Sequence, residues 1–164
     1  MIREANLYPK VVEWVEQFLT TRYKGKGWQI RAEDTSRTSV RSFLEKHGLL
    51  AYFPEAETFE IAVDVTGVAW KQDRIDLVII EVKCQRINLQ KLSQLLGYAR
   101  VVRPSYALIV SPAGWSDSIH RLVNHFGRKD ILEYMPGRYV VVAQWNMLTN
   151  DIRPGSTLLP SHFP

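Results

Sequence analysis

RIDLVIIEVKCQ, residues 74–85, is the stretch on which the fold turns. Its apolar run sets in at once, as a buried strand requires, and ends in an alternation: Glu81, Lys83 and Gln85 at every second position, with Ile80, Val82 and Cys84 around them. Side chains alternate across a strand, so the three polar groups share one side and the three apolar ones the other. A carboxylate and an ammonium two residues apart at the end of an apolar strand call for a partner. Residues 59–70, FEIAVDVTGVAW, supply one, because Asp64 interrupts this second apolar run and the polar Lys71, Gln72 and Asp73 join the two runs as a hairpin. Antiparallel pairing then sets Asp64 beside Glu81 and Lys83. Asp76 is a rival acid, but its strand parity puts it on the face opposite Glu81.

Two carboxylates held side by side suit a hard divalent cation, magnesium or manganese. Such an ion polarises a phosphoryl oxygen and lowers the pKa of bound water, and a lysine on the same face orients that water or offsets charge growing on the phosphate. The expected roles are Asp64 and Glu81 as metal ligands with the Val82 backbone carbonyl, and Lys83 as the group that supports the attacking water and the transition state.

The rest of the chain frames this hairpin. From Glu4 to about Tyr23, Leu7, Val11, Val12, Trp14, Val15, Phe18 and Leu19 recur at helical spacing, with Pro9 near the start where its missing amide hydrogen costs little. Residues 28–32 read as a short strand. Residues 35–57 are an insertion, helical over 35–47 and closed by Gly48. After the hairpin, Asn88 caps a helix running to about Val102, residues 106–110 form an apolar strand, and Ser116 or Asp117 opens a helix to Phe126. Residues 131–135 and 139–142 read as two short strands around Pro136 and Gly137. The expectation is one α/β domain over residues 1–145, a mixed central β-sheet flanked by helices, followed by an irregular tail over 146–164.

Composition narrows the class. A chain of 164 residues makes one domain with a sizeable core. Its net charge of +4 and pI of about 9.3 are compatible with a polyanionic partner. The single cysteine, Cys84, excludes an intramolecular disulfide and, on the apolar side of its strand, reads as a small core residue. No run approaches a membrane span, no signal-peptide pattern opens the chain, and no glycine-rich nucleotide loop occurs, so the expectation is a soluble, cytoplasmic protein with no nucleotide cofactor.

With Asp64, the hairpin and Glu81-Val82-Lys83 in place, the chain resembles the PD-(D/E)XK nuclease superfamily, the restriction-endonuclease-like fold. The helix after the lysine carries Gln94-Leu95-Leu96-Gly97-Tyr98, similar to the Q-x-x-x-Y element of its RecB-like branch. The first helix opens with Glu4 ahead of Leu7-Tyr8-Pro9, similar to the metal-associated glutamate of archaeal junction resolvases. Val63 stands where the family name has proline. The resemblance spans about Glu4 to Val110 and implies an α-β-β-β-α-β core and magnesium-dependent hydrolysis of DNA phosphodiesters. It makes Glu4 a further catalytic candidate, Gln94, Tyr98, Gln85 and Lys91 candidate DNA contacts, and a homodimer a possible working form. Each residue also has a structural reading. Asp64, Glu81 and Lys83 suit a cross-strand ion pair on a solvated edge. Glu4 suits a helix start, and Gln94 and Tyr98, one turn apart, suit a packed pair. The rival functions are a catalytically inactive nucleic-acid-binding module on the same fold and an unrelated α/β protein.

Overall fold

The hairpin lies at the middle of the sheet. In the computed structural model, which describes residues 1–162 and 164, strands β2 (Val65–Lys71) and β3 (Arg74–Val82) pair antiparallel, from Val65 opposite Ile80 to Lys71 opposite Arg74. Gln72 takes a left-handed φ of 53° in the connecting turn. The first strand is shorter than residues 59–70, because peptide groups before Val65 bond elsewhere. The carbonyls of Phe59 and Ile61 accept the amides of Arg41 and Val40, and that of Asp64 accepts the amide of Thr35. Two of these bonds satisfy open amides at the start of helix α2 (Val40–Lys46), whose N-cap Ser39 accepts from the Ser42 amide. The insertion is thereby stitched to the hairpin. Its remainder is two 3-10 turns, Leu50–Tyr52 and Ala56–Thr58.

Helix α1 (Tyr8–Arg22) follows a separate 3-10 turn, Glu4–Asn6, so the first helix is broken at Leu7. Strand β1 (Gln29–Asp34) pairs antiparallel with the outer side of β2. On the other side, helix α3 (Leu89–Val102), capped by the Asn88 side chain on the Lys91 amide, carries the chain over to β4 (Tyr106–Ser111), parallel to β3. Ser116 caps α4 (Asp117–His120), which runs on into a π turn, Arg121–His125. A 3-10 turn, Lys129–Leu132, leads to a two-stranded ribbon of β5 (Glu133–Met135) and β6 (Arg138–Tyr139). Strand β7 (Val141–Gln144) then returns to the main sheet beside β4. The pair of short strands expected over 131–142 is thus two structures. Tyr139 belongs to the ribbon, whereas Val141 and Val142 open the fifth strand of a mixed sheet ordered β1-β2-β3-β4-β7.

Strand parity divides the core. Val65, Val78, Ile80, Val82, Leu108 and Val110 face α1 and its Val11, Trp14, Val15 and Leu19. Val68, Leu77, Ile79, Ile109 and Val142 face the side of α2 and α3, with Phe43, Leu44, Leu92, Leu95 and Ala99. Gly67 sets how closely α1 approaches, since a Cβ there would lie 2.4 Å from Val15 Cγ1. Among the described residues the tail has two 3-10 turns, Pro154–Ser156 and Pro160–His162, and it buries Ile152, Leu158 and Leu159 and bridges Thr157 to Ala143. Among the described residues no helix is long and apolar enough to cross a membrane.

Candidate functional site

The β2–β3 ladder closes at Val65 and Ile80, and one further step of the same register sets Asp64 opposite Glu81. Asp64 has left the ladder and turns its carboxylate onto the end of β3. Its Oδ2 accepts the Val82 amide at 2.7 Å and its Oδ1 accepts the Tyr8 hydroxyl at 2.9 Å. The bend that aims it is fixed by Thr35, whose hydroxyl donates to the Val63 carbonyl at 2.7 Å and lies 2.8 Å from the Thr66 hydroxyl. Lys83 extends β3 by one bond, its amide donating to the Val110 carbonyl. Its ammonium then lies 2.9 Å from Glu81 Oε2 and 3.9 Å from Asp64 Oδ2. The three side chains are 13% (Asp64), 9% (Glu81) and 15% (Lys83) exposed, so this is not a solvated edge. Glu4 joins from the turn before α1, with the Cys84 amide 3.4 Å from its Oε1.

Charge and burial compete within this cluster. Burial, and then the nearby Asp64 charge, push the Glu81 carboxyl up to about 7 against the pull of Lys83. Burial alone would lower the Lys83 ammonium, but Glu81, Asp64 and Glu4 outweigh it and raise it. Burial and the bond to Asp64 raise the Tyr8 phenol, which stays a donor at any ordinary pH. Three carboxylates thus face one ammonium, which leaves two negative charges when all are ionised.

That excess is what a divalent cation neutralises, and carboxylate oxygens beside a strand-end carbonyl are the donors magnesium and manganese prefer. The Val82 carbonyl lies on the same side of β3 as its amide, the side toward Asp64. The cluster fits such an ion in kind without being a closed cage. Among the described residues no three His, Cys, Asp or Glu side chains converge to hold one, so water would complete the coordination, as is usual for magnesium.

The other candidates are spread around this centre. The Gln85 side chain is exposed and its carbonyl accepts the Ser111 hydroxyl. Lys91, half-buried on α3, lies close enough to Cys84 to lower its thiol against burial and Glu4, which together raise it. Gln94 donates to the Tyr98 hydroxyl at 2.9 Å on the same helix, the packed pair that their spacing allows. Asp76 accepts from Ser105, away from Glu81. Cys84 is not a core residue: β3 ends at Val82, the chain bends, and the thiol sits half-exposed at the rim of the α1 core. Tyr8 has no assigned role in the sequence reading. Its contact spans 56 residues, and only the crossing of α1 over the hairpin brings it to Asp64.

No protein-family model matches the chain, and no curated protein matches its sequence.

Proposed function

We propose that the chain is a magnesium- or manganese-dependent nuclease, an endonuclease that hydrolyses DNA phosphodiester bonds on a restriction-endonuclease-like core. The observation that carries this reading is the buried group of Asp64, Glu81 and Lys83 at the end of β3, and the burial that pushes the Glu81 carboxyl up to about 7 is in keeping with it. The order of elements supports it as well: α1, the three strands β1 to β3, the crossover helix α3, then β4 parallel to β3. Asp64, Glu81 and the Val82 carbonyl would hold the ion, with Glu4 at the margin. When bound, the ion supplies Lewis acidity toward a phosphoryl oxygen and its coordinated water.

The chain's own groups do the rest. The Tyr8 hydroxyl and the Val82 amide fix the plane of the Asp64 carboxylate, so both of its oxygens are aimed before substrate arrives. Lys83 stays charged and is held by two carboxylates, placed to orient an attacking water and to offset charge gathering on the phosphate. Glu81, raised to about 7, is shared between its protonated and ionised forms near neutral pH, and a bound cation would favour the ionised form.

One observation favours a second reading, a catalytically inactive nucleic-acid-binding module. Tyr8, Val82 and Lys83 already engage both Asp64 oxygens and Glu81, so the network is internally satisfied. The two readings separate in an assay of labelled linear, circular single-stranded and four-way-junction DNA with magnesium, manganese or EDTA. For the nuclease, wild type cuts only with metal, and Asp64→Ala and Lys83→Ala lower the rate at least 100-fold. Binding by all three proteins with no cleavage of any substrate establishes the module.

A further inference from the structure

We infer that a second DNA-binding surface, formed by the α1–β1 loop and the β2–β3 turn, grips the phosphate backbone of a duplex at the end of the sheet away from the Asp64–Glu81–Lys83 cluster; the identity of its ligand rests on the nuclease reading above. Sequence places its residues far apart, but the sheet joins them. Continuing the strand registers sets Trp28, Lys71 and Arg74 in one cross-strand row on the α1 face of the sheet, at the end away from the cluster. The Arg74 guanidinium lies 5.2 Å from the centre of the Trp28 ring, whose other neighbour is Tyr23 at 4.7 Å. Arg22 lies 5.5 Å from the Tyr106 ring, and the Tyr106 hydroxyl is 3.1 Å from that of Tyr23.

The loop Lys24-Gly25-Lys26-Gly27 runs between these groups. Gly25 and Gly27 have φ of 112° and 91°, which a side chain would resist, and a Cβ on Gly27 would lie 3.2 Å from Lys71 Cε. The loop is thereby bent over the row, with Lys24 and Lys26 both exposed.

Five cations, Arg22, Lys24, Lys26, Lys71 and Arg74, gather here. None has a carboxylate within 4 Å among the described residues, whereas Lys10, Lys46 and Arg128 elsewhere each do. The acids nearby are Asp73 in the turn and Asp76, which is bonded to Ser105 and lies against Tyr23. Guanidinium groups laid on aromatic rings keep their N–H edges for phosphate oxygens and lose little freedom on binding. The chemistry that matches such a surface is a run of phosphodiesters.

Arg74 and Lys83 are nine positions apart along β3 and its one-residue extension, roughly 30 Å at about 3.3 Å per residue, and their parity puts Arg74 on the α1 face and Lys83 on the other. A duplex therefore engages this surface whether or not it reaches the cluster.

The test is fluorescence anisotropy in EDTA with 8- and 24-base-pair duplexes over a salt series, on the full chain. The variant Lys24→Ser/Lys26→Ser/Arg74→Gln is compared with Lys10→Ser/Lys46→Ser/Arg128→Gln, which removes the same charge elsewhere; melting curves establish that both fold. For the 24-mer, the first variant is expected to bind at least tenfold more weakly and to flatten the slope of log K against log salt by about 2 to 3, near 0.9 per lost phosphate contact. The 8-mer slope should flatten with the same variant, and the control variant should change either slope by less than one. Equal losses in both variants, an unchanged 24-mer slope, or no binding of DNA by wild type overturns the inference. Loss of the slope in a protein that never cleaves DNA retains this surface and refutes the nuclease; cleavage by wild type with an unchanged slope does the reverse.

Discussion

Glu81 carries the titration that matters most for the folded state. Its carboxyl is raised from 4.5 to about 7 by burial and by Asp64. An acid whose pKa is higher folded than unfolded stabilises the fold fully below the unfolded value, and that contribution is lost as pH rises through the folded value. In EDTA, the melting temperature should therefore fall between about pH 4.5 and 7.5 by an amount that Glu81→Gln removes, with the variant melting above wild type at pH 8. Parallel wild-type and variant curves across that range would refute the assignment. The grouping of Asp64, Glu81 and Lys83 is legible in the sequence because it follows from parity and a short hairpin. Tyr8 is not, because a contact across a helix–sheet crossing leaves no local pattern. Cys84 keeps the side its parity assigns, against the α1 core with Ile80 and Val82, but it lies two residues past the end of the strand and stays half-exposed.

At the scale of elements, the packing of α1 on β2 depends on the missing side chain at Gly67. A Cβ 2.4 Å from Val15 Cγ1 forces the helix outward, so Gly67→Ala should cost about 1–3 kcal/mol. Val15→Ala should recover a large part of that in the double variant, a coupling that urea denaturation measures as non-additivity. Additive losses would show that the helix docks elsewhere. Because α1 also carries Tyr8, the same displacement disturbs Asp64. The helix that Asn88 caps, α3, is readable almost to the residue, whereas the helix expected over 35–47 begins only at Val40, after its Ser39 cap. The segment before β2 is not readable, since its apolar pattern is that of a strand while its carbonyls serve Thr35 and the start of α2.

At the scale of the molecule, the tail belongs to the core in spite of its irregular backbone. Ile152, Leu158 and Leu159 are buried, and each such side chain contributes about 1.5–3 kcal/mol, against a total stability of about 5–15 kcal/mol for a domain. Ending the chain at residue 145 should lower the urea midpoint by half or more, or prevent folding; an unchanged midpoint would mean the tail merely rests on the surface. Composition rich in Pro, Ser and Thr concealed this, because burial of scattered apolar residues leaves no period to read. The same concealment applies to β7, four residues long and following in sequence directly on the ribbon.

The position of β7 also governs how the protein is made. A ribosome delivers β1 to β4 first, and β4 is buried along Ala107, Leu108, Ile109 and Val110 with the partner on its far side still unsynthesised. Until Val141–Gln144 emerges, that flank presents unpaired amides and carbonyls beside apolar side chains, a template for strands of neighbouring chains. The interval between the fourth strand and the fifth is therefore when a newly made chain is most open to aggregation, and slower growth or a holding chaperone acts on yield at that moment.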